Sequence, residues 1–313
     1  MAERVNVDNF PRAETNRMFS GLLARTGGLD QWHHDRELGR LDQQTVIRQN
    51  RDTFYSYAIV DIAGGATLTL PDGGPDRYIS AMVVNQDHYI NEVLHEPGDH
   101  PLTIDAYDTR YVMVGIRIMV DPHDPADVAA VHALQDQIAL QAGLPAPWTM
   151  PDYDEASFTS TREALLELAK GIGGFDHAFG RRDAVDPVRH LIGTAAGWGG
   201  LPEQEAYYVN VNPGLSVGEY SLTVGDVPVD AFWSISLYDA AGFFEENERG
   251  AYNVNSVTAV RNDDGTVTVN FGGGTDRVNC LPVMEGWNYI VRLYRPRPEV
   301  LDGTWQFPAI DTS

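Results

Sequence analysis

Short runs rich in β-branched and aromatic residues, each closed by Gly, Pro or Asp, constrain this chain more than any other feature. They fall in two blocks. The first covers 54–61, 66–70, 77–84 and 110–120, and the second covers 207–211, 218–224, 231–238, 254–260, 266–271 and 287–294. Such side chains fit a pleated, half-buried surface, and the clusters between them supply turns. Many short strands at near-regular spacing predict antiparallel sandwiches or jelly rolls. In 231–238, Trp233, Ile235 and Leu237 share one parity and Ser234, Ser236 and Tyr238 the other, so a core face and a more open face are expected.

Between the blocks the punctuation is helical. Asp124-Pro125 offers a cap followed by a first-turn proline, Val128, Val131, Leu134 and Ile138 recur at helical spacing, and Gly143 is the expected stop. Ser160-Thr-Arg-Glu163 has the form of a capping box ahead of Leu165, Leu168 and Ile172. Asp186-Pro187 repeats the cap-plus-proline signal before Val188, Leu191 and Ile192. The chain therefore reads as mostly β, with two β-sandwich or jelly-roll-like domains joined by a helical segment. The expected parts are an irregular or partly helical lead-in (1–45), an N-terminal β domain (46–123), the helical segment (124–200) and a C-terminal jelly-roll-like domain (201–313).

Charge narrows the partners. With 45 acidic against 22 basic side chains the formal charge is -23, a surface that repels phosphate backbones and anionic lipids. Neither nucleic acid nor membrane is an expected partner, whereas a small-molecule substrate, a carbohydrate or a second copy of the chain is compatible with it. The single cysteine, Cys280, excludes an intrachain disulfide and a Cys-based zinc site. The N-terminal residues carry charges throughout and lack an apolar signal region, so the expected location is the cytoplasm.

The usual catalytic signatures are absent: there is no G-x-S-x-G elbow, no P-loop and no H-E-x-x-H helix. Polar density instead concentrates in the N-terminal half, in His34, in Asp52 and Tyr55, and in His88. A histidine beside carboxylates is common material for proton transfer near neutral pH, and a Tyr or Arg nearby can hold an oxyanion. His34, Asp52, Tyr55 and His88 are thus the candidate catalytic set of an acid–base enzyme of hydrolase or lyase type, with Arg117 as a substrate-binding group. His34, Asp52 and His88 also have the composition of a two-His, one-carboxylate metal site, but no diagnostic spacing supports it, and no metal or cofactor is expected. Asn50 and Thr53 read equally as a loop-terminating Asx turn. The rival reading is a non-catalytic carbohydrate- or protein-binding module in the C-terminal half, with Tyr238, Asn279 and Trp287 as contact residues by analogy with other jelly rolls.

Several multi-residue motifs fall in a recognisable order. In the N-terminal half they are Asn50-Arg-Asp-Thr-Phe-Tyr55, Asp87-His-Tyr89, Thr109-Arg-Tyr111 and Leu134-Gln-Asp136. In the C-terminal half they are Ala231-Phe-Trp-Ser-Ile-Ser-Leu-Tyr-Asp239, Asn279-Cys-Leu-Pro282, Arg292-Leu-Tyr294 and Val300-Leu-Asp-Gly-Thr-Trp305. In these the chain resembles a bacterial two-part family of domains of unknown function, numbered 1254 for the N-terminal part and 1214 for the C-terminal part. The resemblance implies a jelly-roll-like C-terminal part and carries no assigned catalytic residues. Relatives often show Asn-Trp-Leu-Pro where this chain has Asn279-Cys-Leu-Pro282, so a large ring is missing there.

The excess of acidic groups makes the compact state repel itself until salt screens it. The melting temperature should therefore rise between low salt and about 0.5 M NaCl, where the Debye length is a few Å. A flat or falling curve in differential scanning calorimetry would contradict this.

Overall fold

A computed structural model describes residues 2–44, 47–143, 146–274 and 276–311. The boundary expected at 45/46 falls on Thr45 and Val46, which lie outside the described residues. In chain order the elements are α1 (Phe10–Thr26), β1 (His33–His34), β2 (Thr53–Asp61), β3 (Ala66–Leu70), β4 (Ile79–Asn85), β5 (Ile90–Leu94), β6 (Gly98–Leu102), α2 (Ile104–Tyr107), β7 (Tyr111–Met119), α3 (Pro125–Gln137) and β8 (Ala139–Ala142). They continue with α4 (Glu155–Ala169), α5 (Pro187–Ala196), β9 (Ala206–Val211), β10 (Tyr220–Val224), β11 (Trp233–Tyr238), β12 (Asn253–Asn255), β13 (Val267–Phe271), β14 (Cys280–Leu281), β15 (Asn288–Tyr294) and α6 (Pro298–Leu301). The protein is mostly β, as the punctuation predicts. No helix among the described residues is long and apolar enough to cross a membrane.

The chain divides into two compact units. One comprises 1–36, 55–119 and 126–203, and the other 37–54, 120–125 and 204–313. From residue 126 onward the helical stretch therefore groups with the N-terminal strands.

In the first unit a five-stranded sheet has the order β1-β2-β7-β4-β5 and a three-stranded sheet the order β6-β3-β8. Every residue of β4 is buried, as an apolar central strand requires. Two helix expectations need correction. The helix after Pro125 ends at Gln137 rather than near Gly143, because Ala139–Ala142 pairs as an edge strand with β3, Leu140 opposite Leu68. Helix α4 starts at Glu155, ahead of Ser160, since the Asp154 carboxylate accepts the Ser157 N–H at 2.9 Å and caps it there. That phase leaves Leu165 buried but Leu168 60% exposed. The Asp186-Pro187 signal works as expected, with Asp186 accepting the N–H groups of Val188 and Arg189 at 2.9 Å. Phe10 and Ala13 of α1, Phe158 and Leu165 of α4, and Ile192 and Ala195 of α5 form one apolar cluster.

The second unit is a sandwich. A four-stranded sheet of order β12-β11-β15-β9 faces a three-stranded sheet of order β10-β13-β14, in which only β13–β14 is parallel. Trp233, Ile235 and Leu237 of β11 enter the core between the sheets with Val291 and Leu293 of β15 and Val267, Val269 and Phe271 of β13. The expected open face of β11 is not open: Ser234, Ser236 and Tyr238 are all fully buried. The reason is a covering segment from far away in sequence.

That segment is 48–53, and its polar groups match the sheet face. Asp52, 0% exposed, accepts Ser234 Oγ at 2.6 Å and Asn253 Nδ2 at 2.6 Å. Arg292, directly opposite Ser234 in the β11–β15 register, donates to Ser236 Oγ at 2.8 Å, to Tyr238 Oη at 2.8 Å and to the carbonyl of Arg48 at 2.8 Å. Tyr238 in turn donates to the Gln49 carbonyl at 2.7 Å. A buried charge is tolerable only when its hydrogen bonds are met and an opposite charge is near, and Asp52 lies within electrostatic reach of Arg292.

Removing one member leaves the other uncompensated. Asp52→Ala should cost about 3–5 kcal/mol in urea unfolding, while Trp233→Ala, which empties the opposite face of the same strand, should cost a similar 3–5 kcal/mol. A loss below about 1 kcal/mol for Asp52→Ala would mean that the carboxylate is not the charge holding this face.

Candidate functional site

The sequence-derived residues of the first unit occupy three separate environments. His34 pairs across from Ser56 in the β1–β2 register, and its Nδ1 lies 2.8 Å from Ser56 Oγ. Ser56 is buried and also accepts Gln135 Nε2 from α3 at 3.2 Å. His34 is half-buried, with Trp32 stacked on its ring. Burial, together with the positive charge of Arg36, holds its pKa below the ordinary value, so at neutral pH the ring is an uncharged base.

Tyr55 is the neighbour of Ser56 on β2, so side-chain alternation puts it on the other face of the sheet from His34. There the Arg117 guanidinium sits 5.4 Å over the Tyr55 ring. Arg117 stands opposite Ser80, whose fully buried Oγ has no hydrogen-bond partner among the described residues. His34 and the Tyr55–Arg117 pair thus present to opposite sides of one sheet.

His88 is enclosed completely. It sits in the turn between β4 and β5 with φ 65, a left-handed conformation in which the following residues re-enter the sheet. The Gly199 N–H donates to Nε2 at 2.9 Å, which fixes Nδ1 as the protonated nitrogen. Nδ1 then donates to Thr194 Oγ1 at 2.8 Å, and the Thr194 hydroxyl donates to the His190 carbonyl at 2.8 Å. The ring is stacked against Trp198 and His190. Neither nitrogen is open to a substrate. Burial, and secondarily His190, hold the His88 pKa well below its ordinary value.

Asp52 belongs to the second unit, where its carboxylate is filled by Ser234 and Asn253. Asn50 accepts the Asp52 N–H at 2.9 Å and donates to Thr53 Oγ1 at 3.1 Å, the Asx turn that the sequence allowed. Among the described residues no group of three or more His, Cys, Asp and Glu side chains is placed to hold a metal ion.

The contact residues expected in the C-terminal half also have structural neighbours. Tyr238 is bound to Arg292 and Gln49 as described. Asn279, at φ 48, accepts the Val260 N–H at 2.9 Å and donates to the Val260 and Thr268 carbonyls at 2.7 and 3.1 Å, clipping a loop to β13. Trp287 is a core ring, 5.4 Å from Phe271.

The open space of this unit lies elsewhere. A cavity of about 290 Å³ is walled by Val209 and Val211 of the edge strand β9, Tyr289 and Val291 of β15, Leu215, and residues 307–310 near the C-terminus. Strand alternation puts those four sheet residues on one parity, the core side, at the sheet's margin. The wall segment is tied at each end: Trp305 N–H donates to the Glu299 carbonyl at 2.8 Å and Asp311 N–H to the Ser221 carbonyl at 2.9 Å. Of the described residues lining the cavity, Tyr289 alone carries a polar side-chain group. Sequence reasoning missed this site because its only signal is a set of valines indistinguishable from ordinary core.

Residues 213–298 match the model of a family described as "Protein of unknown function (DUF1214)". The chain is similar in fold to the crystal structure of the VPA0106 protein from Vibrio parahaemolyticus, with a TM-score of 0.77 at 18% identity, over 97% of this chain and 96% of that one. It is also similar to an uncharacterized protein from Burkholderia cenocepacia, with a TM-score of 0.51 at 14% identity, over 91% of this chain and 84% of that one. No curated protein matches the sequence.

The enclosed His88 gives a pH dependence of definite sign. Its folded-state pKa is depressed, so below about pH 6.5 the unfolded chain binds a proton that the folded one does not. Its contribution is whole above that pH and falls as pH drops, by up to about 1.4 kcal/mol per pH unit. Urea unfolding from pH 7 to 5 should show this slope, and His88→Asn, which tolerates the positive φ, should flatten it while lowering stability throughout. An unchanged slope in that variant would place the titrating group elsewhere.

Proposed function

We propose that this protein binds a small, largely apolar molecule in the cavity at the margin of the second unit's sandwich. The observation that carries the reading is the cavity itself: about 290 Å³ of open space walled by valine, leucine, proline, phenylalanine and isoleucine, with one hydroxyl. Ligand sites are typically concave and apolar with few polar groups, and this volume lies at the small end of their range. At about 30 Å³ per water it would hold roughly ten waters, equivalent to a ligand of about ten to twenty non-hydrogen atoms.

Among the two classes of function that the sequence left open, the binding module has the better support. The acid–base reading keeps His34 as an accessible base, but His88 and Asp52 have their hydrogen-bonding capacity filled by neighbours in separate units. A carbohydrate needs several donors and acceptors, and besides main-chain groups the cavity wall offers a single side-chain hydroxyl. An apolar body is what this wall can hold.

Titration with phenylnaphthylamine, an uncharged fluorescent probe, should show saturable binding with Kd of about 10–100 µM, the range a ligand of this size reaches. Val209→Trp, which puts an indole into the space from the partly exposed edge strand, should weaken binding at least tenfold with little change in melting temperature. Absence of saturable binding to the unmodified protein, or equal binding by the Trp variant, would overturn the reading.

A further inference from the structure

Tyr289 is 1% exposed, and its ring packs against Phe271 at 5.3 Å and Trp287 at 6.3 Å, yet its hydroxyl makes no hydrogen bond among the described residues. The Tyr289 Oη is not among the buried polar atoms left without a partner, so the hydroxyl keeps a small surface open to water that a ligand's acceptor can replace. The neighbouring strands cannot help. Val211 lies directly opposite Tyr289 in the β9–β15 register, and the same face continues into Val209 and Val291.

Building on the cavity reading above, we propose that the ligand is an uncharged molecule with an apolar body and one acceptor oxygen, a ketone, ester or alcohol, which Tyr289 holds by donating its O–H. The wall offers no counter-charge to either sign. A carboxylate would enter with no cation to meet it, against the field of a chain of net charge -23. An ammonium would find no carboxylate. A hydrocarbon would fill the space but leave the hydroxyl unmet, so among ligands of one length the acceptor-bearing member binds best. Burial pushes the Tyr289 phenol up to about 12, so it remains a donor across the physiological range.

The experiment is displacement of phenylnaphthylamine by straight-chain eight-carbon probes that differ only at one end: the methyl ketone, the carboxylate, the primary amine and the alkane. The ketone should displace about five- to tenfold more strongly than the alkane, and more strongly than the carboxylate and the amine. Tyr289→Phe should reduce ketone affinity about five- to tenfold, the worth of one hydrogen bond, while phenylnaphthylamine binds within about twofold of its original affinity. Because the lost hydroxyl has no protein partner, the Phe variant should melt no lower than the unmodified protein.

If the carboxylate or the amine proves the strongest competitor, or the ketone is indifferent to Tyr289→Phe, the acceptor assignment is overturned while the cavity reading stands. A Phe variant that melts several degrees lower would show that the hydroxyl serves the protein, and overturns the assignment equally. Failure of phenylnaphthylamine to bind at all removes the cavity reading itself.

Discussion

Arg292 and Asp52 are charges buried on a sheet face that the alternation of β11 marks as open, and the second unit is organised around that fact. A guanidinium without water needs acceptors on several of its N–H groups, and the sheet alone supplies only Ser236 Oγ and Tyr238 Oη. The rest come from main-chain carbonyls of Arg48 and Gln49, and the balancing negative charge from Asp52. Segment 48–53 is therefore obligatory cover. With it in place both faces of β11 and β15 are enclosed, one by apolar side chains against the second sheet and one by hydrogen bonds. The open volume is left to the sheet's margin at β9, where the cavity forms.

What could be read from the sequence divides along the range of the interactions concerned. Strand positions were legible because β-branched runs and turn residues are local signals: the 66–70 and 207–211 runs recur almost unchanged as β3 and β9. The Asp186-Pro187 cap was legible for the same reason. The start of α4 was misplaced at Ser160 because a capping-box pattern inside a helix is indistinguishable from one at its end until Asp154 is seen to take the role. Strand β8 was hidden because Ala139–Ala142 has no strand propensity of its own and is recruited by pairing with β3.

The candidate residues show the same limit more sharply. His88 and Asp52 are each a polar group under strong constraint, and the constraint comes from Thr194 and Gly199 in one case and from Ser234 and Asn253 in the other. Those partners lie more than a hundred residues away in sequence, and nothing local announces whether a histidine meets a substrate or a threonine. The cavity has the opposite problem. Its walls are valines whose sequence pattern is that of a filled core, and only the absence of a neighbour, a three-dimensional property, distinguishes them.

The stretch 213–298 that the family model recognises carries Ser234, Ser236, Tyr238 and Arg292, but none of the residues that cover them. A fragment cut at those limits would expose a guanidinium-bearing sheet face on one side and lack β9 at its edge. Such a piece keeps Ser236 and Tyr238 as acceptors, but only water or another chain could replace the carbonyls of Arg48 and Gln49 and the charge of Asp52. The sequence boundary of the recognised family is therefore not a boundary of autonomous folding: the smallest self-sufficient version of this half is discontinuous. A synthetic peptide spanning 37–54 is the natural missing piece by which an excised C-terminal half could be made whole in trans.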